Sequence, residues 1–172
     1  VLKRRDNAKI VKHIYGGIID IILQEHDIEK SKLFLQSELK KLANGDFPLE
    51  QLIISKSLRA DYKDPDKIAH KVLADRMSER DPGNKPNPSD RIPYVYIEKK
   101  EKRGETILQG DRIEHPNFIR ENNLIPDYKF YITNQIMKPV MQIYELQMKD
   151  PKKLFEDVLR TIDNRRNNVS SI

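Results

Sequence analysis

The chain has 172 residues, 37% hydrophobic and 34% charged, with a formal net charge of +5 and no cysteine. That is enough for an ordinary core under a heavily ionised surface, and it excludes disulfides and thiolate metal sites. No apolar run approaches the ~18 residues of a membrane-spanning helix and no signal-peptide pattern opens the chain, so a soluble intracellular protein without a membrane partner is expected.

After a basic opening, Ile10, Val11, Ile14, Ile18, Ile19 and Ile22 recur at helical spacing and define a broad apolar stripe. Gly16 and Gly17 lie within it; either they admit a close helical neighbour or they are tolerated at about 1 kcal/mol each. A second helix is expected from Asp27, a good N-cap, through Leu33, Phe34 and Leu42 to a stop at Asn44 and Gly45. The two are expected to pack as an antiparallel pair. Pro48 leads into Leu52, Ile53 and Ile54, a short β-prone run that continues into Ser55, Lys56, Ser57 and Leu58.

A third helix is expected to start with Asp64 as cap and Pro65 at its first position, burying Ile68, Ala69, Val72, Leu73 and Met77. Arg76 and Arg80, four apart, share another face; they read as a solvated pair or as two cations addressing one strand of a duplex. Asp81, Pro82 and Gly83 end the helix, and Pro86 and Pro88 keep the next residues extended. Ile92 to Ile97 reads as a strand with Pro93 at an edge position, Lys99 to Gly104 as a charged turn, and Glu105 to Gln109 as the returning strand. The last third reverts to helix, with Asp127 as cap, then Tyr131, Ile132, Gln135, Ile136, Val140 and Ile143, and a kink at Pro139. Asp150 and Pro151 open a final amphipathic helix through Leu154, Phe155, Val158, Leu159 and Ile162, after which Asn164 to Ile172 reads as a frayed tail. The expected fold class is mainly α (α+β), a helical domain with a small β-rich tip, divided as residues 1–148 and a C-terminal helix with tail, 149–172.

Charge is unevenly placed. Residues 56–103 carry 13 basic and 9 acidic side chains, against 9 and 8 before them and 10 and 10 after. A polyanion would be met there. His13, His26, His70 and His115 lie too far apart for short ligand spacing and read as surface or packed histidines. Asp61, Asp64 and Asp66 are close in sequence, but Asp64 is taken by its capping role, and no glycine-rich phosphate loop or paired catalytic acid stands out.

The segments IISKSLRADYK from Ile53, VLADRMSERDPGNKP from Val72 and SDRIPYVYI from Ser89 form one ordered block. It resembles the thumb of family B DNA polymerases, whose pattern runs KSL…DY, LA.R…RDPG..P, GDR[IV]PYV. VLKRRDNAKIV at the start is similar to the arginine pair that opens the thumb, and Ile113 to Glu145 to the family's closing helical segment. The likeness is to delta-type enzymes and especially their large-DNA-virus relatives. Cellular delta-type enzymes carry a cysteine-rich tail after the thumb; this chain continues LQMKDPKKLF without cysteine, which favours a viral origin and weighs against metal-linked subunit attachment.

The resemblance implies a segment of a larger polymerase, as does an opening on Val1 rather than methionine. It implies catalytic carboxylates and Mg2+ in a missing palm rather than here, since neither DxxSLYPS nor YGDTDS occurs in the chain. By itself the segment is expected to be inert. Its expected partners are primer-template duplex DNA, gripped through phosphates and the minor groove, and the palm and exonuclease domains of the same polymerase. The residues expected at the duplex are Lys56, Arg59, Tyr62, Lys63, Arg76, Arg80, Asn84, Lys85, Arg91 and Tyr94. Tyr62 and Tyr94 read equally as plain core tyrosines. Arg4 and Arg5 are expected to brace the junction with the missing palm, with a direct duplex contact as the alternative. Ser89 stands where the family usually has glycine. An alternative reading is a protein-interaction module whose C-terminal helix docks a sliding clamp or accessory factor; the competing reading is that its apolar stripe closes the domain's own core.

Overall fold

Helix α1, Lys9–Asp20, forms along the isoleucine stripe and buries Ile10, Val11, Ile14 and Ile18. The computed structural model describes residues 7–99, 104 and 107–170, so Arg4 and Arg5 lie outside the described residues. The chain is mainly helical with one three-stranded sheet, and it divides into two units, Val1–Gln51 with Tyr128–Ile172, and Leu52–Asp127.

In the first unit α1 passes into a π-helical turn, Ile21–Glu25, and stops at His26 in the left-handed region. Helix α2, Ile28–Ala43, starts as expected: Asp27 Oδ1 accepts from the Lys30 N–H at 3.0 Å. It ends in a Schellman motif, in which the Gly45 N–H donates to the Leu42 carbonyl and the Asp46 N–H to the Lys41 carbonyl. Gly45 has φ +75, which a glycine adopts without strain. His13 meets Glu38 and Gly17 meets Phe34, so each step forward on α1 is matched by a step back on α2 and the helices run antiparallel. A Cβ on Gly17 would come within 2.4 Å of the Phe34 ring, whereas one on Gly16 meets nothing within 4 Å. Close approach explains the first glycine and tolerance the second. The buried face of α2 is Leu35, Leu39, Leu42 and Ala43; Leu33, expected inside, is 67% exposed, because α2 turns this face both to α1 and to the last helix.

That last helix, α7, Lys153–Ser170, buries Leu154, Phe155 and Ile162 and packs on α2. Arg165 donates to the Ala43 carbonyl at 2.8 Å and to Asn44 Oδ1 at 2.6 Å, placing a cation at the negative end of α2. The apolar stripe therefore closes its own unit, and the expected division near residue 148 does not coincide with a boundary between the units. Before it, α5 (Tyr128–Phe130), a π-helical turn (Tyr131–Ile136) and α6 (Met137–Tyr144) follow one another. Pro139 has no N–H for the α-helical ladder, and the chain widens into the π turn just before it. Tyr144, absent from the expected core, is fully buried, and its hydroxyl lies 2.7 Å from Ser31 Oγ, which itself donates to the Ile28 carbonyl. Burial raises the Tyr144 pKa.

The second unit is built on an antiparallel sheet in the order β1 (Ile54–Ser57), β2 (Arg91–Tyr96), β3 (Ile113–Glu114). Pro93 lies in the central strand, not at an edge. It is accommodated because it faces Ser55 in a non-hydrogen-bonded pair, while β3 pairs only with Val95 and Tyr96. The expected returning strand, Glu105 to Gln109, falls partly outside the described residues; Gln109–Arg112 is a 3-10 turn, and the strand that pairs there is β3. The third helix also starts later than expected. Pro65–Lys67 forms a 3-10 turn, Ile68 is extended, and α3 runs Ala69–Arg80, with Leu73 and Ala74 buried. The Asp64 side chain pairs with Lys67 at 3.3 Å instead of capping. Helix α4, Pro116–Asn122, is capped by His115, whose Nδ1 accepts from the Asn117 N–H. Burial lowers the His115 pKa, consistent with a neutral, accepting ring.

β1 and β2 are joined at their far end by a tight device. The Asp90 N–H donates to the Asn87 carbonyl across a turn with Pro88 at its second position and Ser89, φ +77, at its third, which is a type II turn. The Ser89 N–H then donates to the Leu58 carbonyl and the Leu58 N–H to the Asp90 carbonyl, both at 2.7 Å, so two residues oppose one in a G1-type bulge. Both turn and bulge favour glycine where this chain has serine.

Two stability outcomes follow from this packing. Ser89→Gly relieves a left-handed L-residue and is expected to stabilise the protein by about 1 kcal/mol in urea unfolding; a loss would mean that the Ser89 side chain holds the turn. A Cβ on Gly110 would lie 2.4 Å from Val72 Cβ and 3.0 Å from the Ala69 carbonyl. Gly110→Ala is accordingly expected to cost about 1–3 kcal/mol by overpacking, with Gly16→Ala neutral or stabilising in the same assay.

Candidate nucleic-acid interface

The residues expected at a duplex fall into two sets in the structure. Lys56, Arg59, Lys63, Asn84, Lys85 and Arg91 are exposed. Arg91 lies across β1: Nε donates to Ser55 Oγ at 3.0 Å, Nη1 to Ser57 Oγ at 3.2 Å and Nη2 to the Ser55 carbonyl at 2.6 Å. Its guanidinium is thus held on the sheet while still facing solvent. Asn84 donates to Asp81 Oδ2 at 2.8 Å within the turn after α3.

Tyr62 sits half-buried beside this strand. Its hydroxyl accepts from the Arg59 N–H at 2.9 Å and lies 3.1 Å from His70 Nε2, while the Arg59 guanidinium is 5.5 Å from the Tyr62 ring centre. His70 Nε2 is also 3.2 Å from the Ser57 carbonyl. A carbonyl only accepts, which assigns the hydrogen to Nε2 in that contact. The segment after β1 is therefore folded back on the strand through Tyr62 and His70, and Tyr62 acts as a local brace. Tyr94 is 2% exposed, with its ring edge-on to Tyr96; of its two readings the core one fits.

Arg76 and Arg80 are engaged inside the unit. Arg80 makes two bonds to the buried Glu114 carboxylate, at 2.8 and 2.9 Å, and its guanidinium stacks 3.6 Å from the Phe118 ring centre. Arg76 Nε is 3.2 Å from the same carboxylate, and its terminal nitrogens donate to the Gly110 and Ile113 carbonyls. The hydrogen bond to Glu114 raises the Arg80 pKa further. Their shared helical face is real, and it meets β3 and the 3-10 turn before it, with Arg76 half-buried and Arg80 still exposed. Sequence reasoning did not anticipate Glu114, Ser55, Ser57 or His70. A lone glutamate in IEHP and two serines in a strand carry no pattern that separates them from ordinary surface residues.

Among the described residues no group of three or more His, Asp or Glu side chains is arranged to hold a metal ion, and no helix is long and apolar enough to cross a membrane. Asp61, Asp64 and Asp66 are all exposed.

Comparison with known proteins gives this geometry its context. The family model for DNA polymerase family B matches residues 1–147. The DNA polymerase of Pyramimonas orientalis virus is 57% identical over 148 residues, 86% of this chain and 12% of that polymerase. The DNA polymerase of Acanthamoeba polyphaga mimivirus is 52% identical, covering 100% of this chain and 10% of the relative. The DNA polymerase delta catalytic subunit of Schizosaccharomyces pombe is 35% identical over 98% of this chain and 15% of its own length. In fold, the chain is similar to the family B DNA polymerase of Pyrobaculum calidifontis, with a TM-score of 0.62 at 18% identity over 83% of this chain and 18% of that one. The chain spans only about a tenth of the viral relatives. With the match running from residue 1 to 147, including the block that holds the exposed basic ribbon, the chain belongs to DNA polymerase family B.

Proposed function

We propose that these residues are the thumb of a DNA-directed DNA polymerase of viral type, acting at the site of DNA replication in the cell, and that they hold the primer-template duplex while chemistry occurs in another part of the complete polymerase. The observation that carries this reading is the set of exposed cations on β1, β2 and their flanks, Lys56, Arg59, Lys63, Lys85 and Arg91, inside a family B match. A polymerase must hold duplex of any sequence, so its grip relies on phosphates, common to every base pair. Exposed cations on a braced sheet suit that task.

The metal ions used by such an enzyme have no fitting donor set among the described residues, and this reading assigns them to another part of the polymerase. Palm and exonuclease domains of the complete polymerase are its partners on this reading, and a sliding clamp or accessory factor is the external one. Arg76 and Arg80 support the grip indirectly, by fixing α3 to the sheet.

In the complete polymerase, the dissociation constant for primer-template would be measured at several salt concentrations. Lys56→Ala and Lys63→Ala are each expected to reduce the slope of log K against log salt by about 1. Arg91→Ala should shorten duplex residence and products per binding event, with the single-turnover chemical step little changed, while Arg120→Ala, exposed on α4, leaves both alone. Arg80→Ala should leave the slope unchanged and lower the unfolding free energy by about 2 kcal/mol, because it removes charged hydrogen bonds to Glu114. If Arg80→Ala flattened the salt dependence while the two lysine variants did not, the duplex surface would lie elsewhere.

A further inference from the structure

β1 is an edge strand whose free side offers hydrogen-bonding groups of one kind. The Leu58 N–H donates toward β2, to the Asp90 carbonyl, and Pro93, opposite Ser55, has no N–H to give. Alternation along an antiparallel pair therefore turns the backbone polar groups of Ile54, Lys56 and Leu58 toward β2, and those of Ser55 and Ser57 away from it. Among the described residues no strand pairs with that outer side. Its two carbonyls are covered, Ser55 by Arg91 Nη2 at 2.6 Å and Ser57 by His70 Nε2 at 3.2 Å. What faces outward is a pair of amide N–H groups, about 6.7 Å apart from the rise of a strand.

A strand adding to an edge needs donors and acceptors in alternation, and covering the carbonyls denies it the acceptors. A phosphate oxygen only accepts. The exposed cations Lys56, Arg59 and Lys63 beside the edge complement the same ligand. We propose that the Ser55 and Ser57 amide N–H groups donate directly to backbone phosphates of the bound duplex, with Arg91 and His70 keeping the strand's own carbonyls away from the anion. The inference rests on the duplex-holding reading above and adds to it the contacting atoms and two positioning residues.

The test uses the complete polymerase with Ser57 replaced by its α-hydroxy acid counterpart, which turns the N–H into an ester oxygen and keeps the side chain. Ser57→Pro is a second variant lacking the same N–H, on the outward side of an edge strand where proline is accommodated. Ser57→Ala controls for the hydroxyl, and urea midpoints near wild type confirm the fold. The expected result is a loss of about tenfold or more in affinity for primer-template in both variants, beyond any change in the alanine control, with an unchanged salt slope, because a neutral donor is removed and no counterion release is lost. If affinity stays at the alanine control's level while Lys56→Ala still weakens binding and flattens the slope, the amide contact is wrong and the duplex-holding reading stands. If Lys56→Ala, Lys63→Ala and both Ser57 variants all match wild type, both fall. An edge that captures an extended peptide in preference to duplex would also overturn the phosphate assignment.

Discussion

The Glu114 carboxylate, buried at the end of β3, is the constraint on which the second unit depends. An ionised carboxylate held away from water without partners costs several kcal/mol, and this one is met by two guanidinium groups from a single helix face. Arg76 goes further and ties the Gly110 and Ile113 carbonyls, so one cation joins helix, turn and strand. With α3 fixed in this way, His70 near its start reaches the Ser57 carbonyl, and the geometry of β1 is linked through one helix to a carboxylate on another strand. Replacing the pair by apolar residues could preserve stability but would lose the directional bonds that set this register.

The β1–β2 ribbon is braced at both its end and its face, as the proposed duplex-holding role requires. Its far end is closed by the Asn87–Asp90 turn and the bulge at Ser89, and its face by the three Arg91 bonds across Ser55 and Ser57. Fixed positions lower the ordering cost of binding. On the proposed duplex-holding reading, exposed donors that are lysine, arginine and backbone amide would read charge and spacing and not base identity. The strained serine in the turn is a local cost kept in a place where the backbone direction matters.

Much of this was legible in the sequence. The Asp27 cap, the Asn44–Gly45 stop, the C-terminal end of α3 and the strand at Ile92 follow from local chemistry, since caps, glycine and proline act over a few residues, whereas the start of α3 does not fall at Asp64. The phase of α2 was not, because Leu33 and Leu35 are equally apolar and only the packing of α7 decides which is covered. The family pattern marked Arg76 and Arg80 as important without revealing their bonds: a motif records that a guanidinium is needed, and the partner, Glu114, lies 34 residues or more away in sequence. Tyr94 shows the same limit, since a tyrosine on a strand looks alike whether its ring faces the core or a ligand. The edge amides were out of reach altogether, since backbone direction depends on register and register on the pairing of Ser55 with Pro93.

The final helix separates two uses of one pattern. Leu154, Phe155 and Ile162 at helical spacing fit a docking helix as well as a packed one, and the difference lies in what already covers them. Here α2 does, and Arg165 fastens the far end of the contact by bonding the last carbonyl of α2 and the Asn44 side chain. A partner that took the apolar face would have to displace both, exposing side chains of α7 that are now buried, so docking in that mode would carry the cost of opening a core. An accessory factor that bound α7 without that cost would meet its exposed polar residues instead, among them Asp157 and Arg160, which pair with one another, and recognition there would be polar and sensitive to salt.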